Sequence, residues 1–269
     1  MTVPSLTSPP PAQLATANFR DVARPAGVVP LIAPGRLFRS ASPHEMPAAG
    51  VDHIRRLGIR TVIDLRSEVE TAARPSVFPA PQVELVHVPL ELMGAAESHR
   101  TELTLDALYS RMLVERADGL MRAVRAVARA PRGGVLVHCT AGKDRTGLTV
   151  ALILSVLGAP MDTIVDDYAM TESLLAGPWT DSMVAALTAA GMRIDERLLQ
   201  ILAGSPAEVL ATAFAAHVLA PWGDAAAYLL AHGLAAEELT ALRDRFLLSP
   251  SPFPAAASRP VTPSEKGAP

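Results

Sequence analysis

The sequence contains one cysteine, Cys139, and this scarcity excludes several kinds of site. A lone cysteine forms neither an intramolecular disulfide nor a Cys-x-x-Cys redox centre, and it cannot build a cysteine-rich zinc site. Cys139 also lacks a second thiol that would trap an oxidised sulfur as an internal disulfide. Any role of this thiol therefore depends on its immediate surroundings.

A large net charge, a signal peptide and a membrane-spanning run are missing as well. The formal net charge of −3 gives no general electrostatic basis for binding nucleic acid. No basic residues precede an apolar run near the N-terminus, and the longest apolar stretch, Leu148–Leu157, is too short to cross a bilayer. We expect a soluble, reduced, cytoplasmic protein without nucleic-acid partners or stable membrane insertion; export without a signal peptide stays open.

The chain divides into two tails and one body. Residues 1–17 and 249–269 are rich in Pro, Ser, Thr and Ala, which predicts disordered tails around a folded domain over 18–248. Strand and helix patterns alternate up to residue 138, and only helical patterns follow residue 160, which predicts a central sheet covered by helices in one α/β domain. Predicted strands cover 28–39 (two, around a turn at 34–35), 61–65, 83–90 and 134–138. Predicted helices cover 44–57, 102–130 with a break near 117–119, 145–157, 161–176, 181–190, 195–203, 206–219, 223–232 and 235–247.

The most informative segment is HCTAGKDRTG, residues 138–147, which follows the apolar strand Gly134–His138. A short loop between a strand and a helix directs backbone N–H groups and the helix N-terminus at one anion site. A thiolate is stabilised in the same field, so Cys139 is a candidate nucleophile that forms a phosphocysteine. Arg145 offers a planar fork for two phosphoryl oxygens. The nucleotide-binding loop of NTPases is excluded, because its first glycine is missing and Asp144 stands where Ser or Thr binds magnesium.

The other loop residues have expected roles too. Thr146, at the helix start, is placed to hydrogen-bond the sulfur, and His138 to orient the loop rather than to act as the base. Gly142 permits the unusual dihedral angles of a tight turn. Backbone amides are expected to bind the phosphoryl oxygens at Thr140, Ala141, Gly142 and Lys143.

The run HCTAGKDRTG resembles the signature of the cysteine-dependent tyrosine phosphatase superfamily, and its Lys-Asp pair resembles the bacterial tyrosine/lipid phosphatases related to mycobacterial PtpB. Further matches are GRLFRSASP (35–43), TVIDLRS (61–67), DDYAMTESLL (166–175) and YLLAHGL with EELTALR near the C-terminus. The resemblance implies a phosphatase α/β fold with a mostly parallel sheet and extra C-terminal helices able to form a lid. It also implies hydrolysis of phosphotyrosine without metal or cofactor, with phosphoserine, phosphothreonine or phosphoinositides as further substrates. From pattern alone, the helices over about 177–220 are equally well ordinary core helices.

Two carboxyl groups compete as the proton donor. Asp64, in IDLRS, is the candidate by resemblance, although an ion pair with Arg66 explains it equally well. Asp144 lies within the loop itself, as in myotubularin-like lipid phosphatases. Phosphate charge favours its protonated form, while Lys143 and Arg145 oppose it. We favour Asp144 as the acid, with Asp64 in support.

The remaining candidates concern the substrate. Lys143 is predicted to bind extra phosphates of an inositol ring, against the alternative of a solvated lysine. Arg39 and Arg66 are candidates for the mouth of the site, whereas the segment 166–168 is expected to anchor a helix. The expected partner is a phosphoprotein or a phosphoinositide. The competing hypothesis is a phosphate-binding module without turnover, which would have no need of a thiolate.

Overall fold

The computed structural model describes residues 16–23, 32–78, 83–91 and 104–248. Its five strands form one sheet in the order β1-β2-β5-β3-β4. The β1–β2 pair is antiparallel and the other three pairs are parallel, which confirms the predicted mostly parallel sheet. The strands are β1 (Arg20–Asp21), β2 (Leu37–Ser40), β3 (Ile59–Asp64), β4 (Glu84–His87) and β5 (Gly134–His138).

Strand β5 lies at the centre of the sheet, between β2 and β3. All five of its residues are buried, as expected for an apolar strand covered on both faces. His138, its last residue, pairs with Ser40 of β2 and Asp64 of β3. The carboxyl ends of three parallel strands therefore meet at one edge, where open α/β sheets bind ligands. Cys139 follows directly at this edge.

Helices cover both faces of the sheet. Apolar residues of α3–α6, α9, α11 and α12 form the large core on one face, and a smaller cluster that includes Ile54 of α1 covers the other. Helix α5 is buried along its whole length apart from Ser155, so the element after the loop is a core helix.

The helices before residue 140 are α1 (Ala48–Arg56), α2 (Glu68–Ala73), α3 (Leu105–Val114) and α4 (Ala117–Arg129). The later helices are α5 (Asp144–Val156), α6 (Met161–Leu175), α7 (Pro178–Ala189), α8 (Glu196–Ala203), α9 (Ala207–Phe214), a π-helical turn (Ala215–Leu219), α10 (Ala220–Trp222), α11 (Ala225–Ala231) and α12 (Ala236–Phe246).

The predicted helices after residue 160 are confirmed to within three residues at each end. The predicted break in 102–130 is also present, between α3 and α4. Helix α1 begins at residue 48 rather than 44, because Pro47 is its N-cap in an extended conformation. It ends before Gly58, which has φ +74°, a conformation that glycine adopts readily.

One strand was not predicted, and several predictions concern residues outside the described ranges. The two-residue strand β1 was missed because it is too short to show an alternating pattern. Most of the first strand predicted in 28–39 lies outside the described residues; Ile32 is described and forms a single antiparallel bridge with Leu247. The predicted tails also lie outside them, except that Thr16 and Ala17 form hydrogen bonds with Ala41.

Helices α7 and α8 have no buried residue, whereas α9 contributes Leu210 and Phe214 to the core. The core-helix alternative therefore holds for α9 and not for α7 and α8. These two helices pack on α6 and on each other. Within the described ranges, no single helix is long and apolar enough to cross a membrane, although the bent pair Glu196–Ala203 and Ala207–Trp222 passes that test by length and composition.

Candidate active site

The loop after β5 is held by donors that bind its carbonyl oxygens. The Asn18 side-chain amide donates to Ala141 O and Gly142 O at 3.0 and 2.9 Å. Arg39 Nη2 donates to Gly142 O at 2.8 Å, and Ser42 N donates to Thr140 O at 3.0 Å. Since N–H and C=O point in opposite directions across a trans peptide, the amides that follow these carbonyls face away from the donors. The loop thus presents a concave set of N–H groups, which suits an anion.

Gly142 is required at its position in this loop. Its φ of +66° lies in the left-handed region. In addition, a Cβ atom at residue 142 would overlap the carbonyl of Ser40 at the end of β2. The predicted role of Gly142 as the residue that permits the turn is therefore matched by the geometry.

Arg145 is buried and paired with a residue that the sequence analysis did not select. Its Nη1 and Nη2 donate to the two carboxylate oxygens of Glu70 at 2.6 and 2.8 Å. Burial opposes ionisation of Glu70, but the Arg145 guanidinium and the Thr140 hydroxyl outweigh it and lower the pKa of this carboxyl. Glu70 is therefore ionised at neutral pH. The Arg145 Nε is buried and has no hydrogen-bond partner among the described residues.

Glu70 binds the end of the guanidinium that Nη1 and Nη2 form, so Nε on the side of the fork is not used by this pairing. Nη2 also lies 3.4 Å from Thr140 Oγ1. A guanidinium has five N–H donors, so one carboxylate and one phosphoryl group bind different edges at once. Glu70 thus fits as the residue that orients Arg145.

His138 and Thr146 flank the loop. The His138 ring lies 3.3 Å through Nδ1 from Cys139 O and 3.6 Å through Nε2 from Asp64. Burial lowers the pKa of His138 to about 4, so the ring is neutral near pH 7 and suits an orienting role. The Thr146 hydroxyl is buried and has no partner among the described residues, Cys139 included. The predicted hydrogen bond to the sulfur is therefore not formed.

Arg66 binds both carboxylate oxygens of Asp64 in a buried ion pair. The guanidinium of Arg66 donates to both carboxylate oxygens, at 2.9 Å from Nε and 2.6 Å from Nη2. Burial raises the pKa of Asp64, but the hydrogen bonds from Arg66 and the proximity of His138 outweigh it, so that the pKa lies below its usual value. The alternative of an ion pair with Arg66 is thus the one that the structure shows.

Asp144, the rival candidate, begins α5 and is positioned by different groups. Its Oδ1 accepts a hydrogen bond from Tyr109 Oη at 2.8 Å and lies 3.1 Å from Lys143 Nζ. No hydrogen bond joins Oδ2 to another described residue. Unlike the side chain of Asp64, the side chain of Asp144 is still 13% exposed.

Lys143 does not extend into solvent. Its side chain is fully buried, and Nζ donates to Gly204 O at 2.8 Å, after the end of α8. The segment after α8 therefore contacts the loop directly. The alternative of a solvated lysine is therefore wrong, whereas the binding of extra phosphates by Lys143 stays a prediction and would need its contacts with Gly204 and Asp144 to break.

Arg39 and Arg66 do not line the mouth of the site, contrary to expectation. Arg39 is fully buried beneath the loop, where Nη1 pairs with Asp167 at 2.5 Å. Arg20 pairs with the other oxygen of Asp167 at 2.8 Å. Arg66 is 2% exposed and, besides Asp64, binds Arg74 O and Ser76 Oγ. Arginine is usually solvated, but these two guanidinium groups are buried because each has a carboxylate partner.

Three described side chains that contact the loop were not predicted from the sequence: Glu70, Asn18 and Tyr109. Glu70 had a detectable signal, since Ser67 and Glu70 form the S-x-x-E capping box of α2. Asn18 and Tyr109 had none, because each lies on a different element far away in the sequence. The expected anchoring role of 166–168 is confirmed for Asp167, which binds Arg20 and Arg39.

The family model described as "Tyrosine phosphatase family" matches residues 13–248, which is most of the chain. The chain belongs to the tyrosine phosphatase family. The predicted resemblance is thereby confirmed, and the Cys139–Arg145 loop lies within the matched region.

Several relatives are named as phosphatases, two of them from Mycobacterium tuberculosis and Nostoc commune. One is the triple specificity protein phosphatase PtpB of Mycobacterium tuberculosis, 36% identical over 182 residues, which cover 56% of this chain and 65% of PtpB. The other is a tyrosine-protein phosphatase of Nostoc commune, 30% identical over 260 residues, which cover 86% of each chain.

The chain thus spans just under two thirds of PtpB and most of the Nostoc member of the tyrosine phosphatase family. Among solved structures, it is similar to the catalytic domain of the PP-IP phosphatase SIW14 of S. cerevisiae, with a TM-score of 0.37 and 17% identity over 70% of this chain and 91% of that one. It is also similar to TpbA of P. aeruginosa, with a TM-score of 0.32 and 23% identity over 62% of this chain and 87% of that one. Because both TM-scores are below 0.5, family membership rests on the sequence match.

Proposed function

We propose that this protein hydrolyses phosphotyrosine through a phosphocysteine intermediate on Cys139. The observation that carries the proposal is the loop that joins β5 to α5, with the thiol at one end and the buried Arg145 at the other. Cys139, the loop amides and the guanidinium of Arg145 would provide a nucleophile, a cradle for oxygens and charge compensation. Membership of the tyrosine phosphatase family supports this assignment.

In the first step, the Cys139 thiolate attacks phosphorus, and an S–P bond forms while the P–O bond to the leaving group breaks. The leaving oxygen receives a proton from a carboxylic acid. In the second step, water attacks phosphorus, the S–P bond breaks and the same carboxylate takes a proton from that water. Inorganic phosphate and the starting enzyme are the products.

We assign the proton transfer to Asp144. Arg66 binds both oxygens of Asp64 and favours its ionised form, so Asp64 is poorly suited to give up a proton. Asp144 lies within the loop and keeps Oδ2 without a partner among the described residues. Asp64 supports the loop through His138, whose ring contacts Cys139 O.

We further propose that phosphotyrosine is preferred and that phosphoserine, phosphothreonine and phosphoinositides are secondary substrates. PtpB is named for triple specificity, and SIW14 is named a PP-IP phosphatase, so several phosphate esters are worth testing. Lys143 is bound to Gly204 and Asp144, and the loop therefore presents no free ammonium for a second phosphate group. This arrangement favours a substrate with one phosphate.

The test is hydrolysis of para-nitrophenyl phosphate by the purified protein in the presence of a chelator. We expect turnover, inhibition by vanadate, and a burst of nitrophenol equal to the enzyme concentration if breakdown of the intermediate limits the rate. Cys139→Ser should abolish turnover while leaving the thermal unfolding curve nearly unchanged. Activity that survives Cys139→Ser, or is lost on chelation, would refute the mechanism. Binding of phosphotyrosine without turnover would instead support the binding-module alternative.

A panel of phosphopeptides and phosphoinositides defines the substrate class. With Cys139→Ser as the blank, kcat/KM for phosphotyrosine peptides should exceed the values for phosphoserine and phosphothreonine peptides and for short-chain phosphoinositides. A higher kcat/KM for a phosphoinositide would overturn the proposed preference without affecting the chemistry.

A further inference from the structure

Two tyrosine hydroxyls lie behind the loop in a chain of hydrogen bonds that ends on Asp144. Tyr109 Oη lies 2.8 Å from Asp144 Oδ1 and 2.6 Å from Tyr168 Oη. Both tyrosines are almost completely buried, at 0% and 1% exposure. Burying hydroxyl groups is costly unless each finds a partner, so this chain satisfies groups that would otherwise destabilise the core.

Packing fixes the rings that carry these hydroxyls. Tyr109 lies on α3 and Tyr168 on α6, and the rings meet edge to face with centroids 6.0 Å apart. Gly147 lets the Tyr168 ring pack closely on α5, since a Cβ atom at residue 147 would lie 3.1 Å from that ring. The hydroxyls thus reach Asp144 from two core helices rather than from a loop.

The chain of hydrogen bonds reaches Oδ1, one of the two carboxyl oxygens of Asp144. Both groups near Asp144, Tyr109 Oη and Lys143 Nζ, approach Oδ1, and no hydrogen bond joins Oδ2 to another residue of the described ranges. Burial and the charge of Asp144 raise the pKa of Tyr109, so its hydroxyl keeps its proton and remains a donor. A carboxyl proton is disfavoured on an oxygen that already accepts a hydrogen bond and lies beside an ammonium group, so it is placed on the other oxygen.

We propose that Tyr109, braced by Tyr168, is a positioning residue that occupies Asp144 Oδ1 and so reserves Oδ2 for the transferred proton. This inference rests on the proposed function, because it presupposes Asp144 as the acid. It adds that two tyrosines outside the signature loop help to set the orientation of the acid.

Tyr109→Phe tests the proposal, since it removes the hydroxyl and keeps the ring. We expect kcat/KM for phenyl phosphate, which has a poor leaving group, to fall about tenfold or more, and kcat/KM for para-nitrophenyl phosphate to fall less than about twofold. The basic limb of the kcat/KM profile for phenyl phosphate should move to higher pH, because the carboxylate loses a donor that stabilises its charge. Tyr168→Phe should give the same pattern, weaker. Tyr228→Phe is the matched control, because Tyr228 is equally buried but donates to Leu113 O. Its kcat/KM values for phenyl phosphate and for para-nitrophenyl phosphate should both stay unchanged.

If kcat/KM falls equally for both substrates and the basic limb of its pH profile does not move, Tyr109 is only structural. That result would overturn the inference. The double variant separates this from failure of the proposed function. If Asp144 is the acid, Asp144→Asn alone lowers kcat/KM for phenyl phosphate much more than for para-nitrophenyl phosphate, and adding Tyr109→Phe causes no further loss. If Asp144→Asn shows no leaving-group dependence, the proposed acid is wrong. If Asp144→Asn shows the leaving-group dependence and Tyr109→Phe does not, Asp144 remains the acid and the positioning role of Tyr109 is wrong.

Discussion

The carboxylate of Glu70 binds the end of the Arg145 guanidinium through two hydrogen bonds, of 2.6 and 2.8 Å. The two residues lie 75 positions apart, on α2 and α5. Glu70 also accepts a hydrogen bond from Ser67 N in the capping box of α2. The orientation of Arg145 is therefore coupled to the first turn of a surface helix. A substitution that moves the Glu70 carboxylate is expected to move Arg145 as well.

Replacing Glu70 by Gln should impair phosphate binding. Gln keeps an oxygen for Ser67 N and Nη1 but loses the charge and one acceptor, so Arg145 is held less firmly. We expect kcat/KM for para-nitrophenyl phosphate to fall about tenfold or more, together with weaker inhibition by vanadate. Glu68→Gln, in the same first turn but exposed, should leave both values unchanged. Lower KM and tighter vanadate binding in Glu70→Gln would show that Glu70 competes with phosphate instead.

Asp167 is the common partner of two buried guanidinium groups, and its removal should destabilise the fold. In Asp167→Asn, Arg20 and Arg39 lose the carboxylate that compensates their burial. We expect the free energy of unfolding to fall by about 3 kcal/mol or more, measured by urea denaturation. Activity should fall as well, because Arg39 also binds Gly142 O. The neighbouring Asp166→Asn, at an exposed position, should stay within about 0.5 kcal/mol of the parent protein. Equal stabilities of the two variants would contradict this account.

Gly142→Ala should damage the loop more than a positive φ alone explains. Ala at residue 142 would have both an unfavourable φ and an overlap with Ser40 O, so the loop must shift. Gly158 is the matched control, since it has φ +82° and no atom within 4 Å of an added Cβ. Gly158→Ala should cost about 1 kcal/mol of stability and leave kcat/KM intact. Gly142→Ala should lower kcat/KM by about 100-fold or more, because the inward amides lose their alignment. Similar kcat/KM values in both variants would exclude the steric explanation.

The sequence predicted what depends on neighbours along the chain and missed what depends on distant ones. β5, the loop and α5 form one continuous segment, so a buried apolar run, a cysteine and an arginine at fixed spacing were sufficient to find them. Asn18 and Tyr109 contact the loop from 123 and 35 positions away, and tertiary packing alone brings them there. Arg39 was misplaced for the same reason: its partner Asp167 lies 128 residues away, and a solitary arginine is normally solvated.

His138 makes the stability of the fold sensitive to mild acid. Its pKa is lowered by burial to about 4, against 6.5 in the unfolded chain. Between these values the unfolded chain binds a proton that the folded protein does not, so stability is full above about pH 6.5 and declines as the pH falls toward 4. Between pH 7 and pH 4.5, urea denaturation should show a loss on the order of 2 kcal/mol more in the parent protein than in His138→Asn.

The partly buried His217, which contacts Ser110, provides the control for this last measurement. His217→Asn should reproduce the acid sensitivity of the parent protein. Measurements stay above pH 4.5 because Asp64, with its lowered pKa, contributes stability that is lost only at lower pH. If His138→Asn loses as much stability as the parent protein over this interval, the imidazole is not buried in its neutral form.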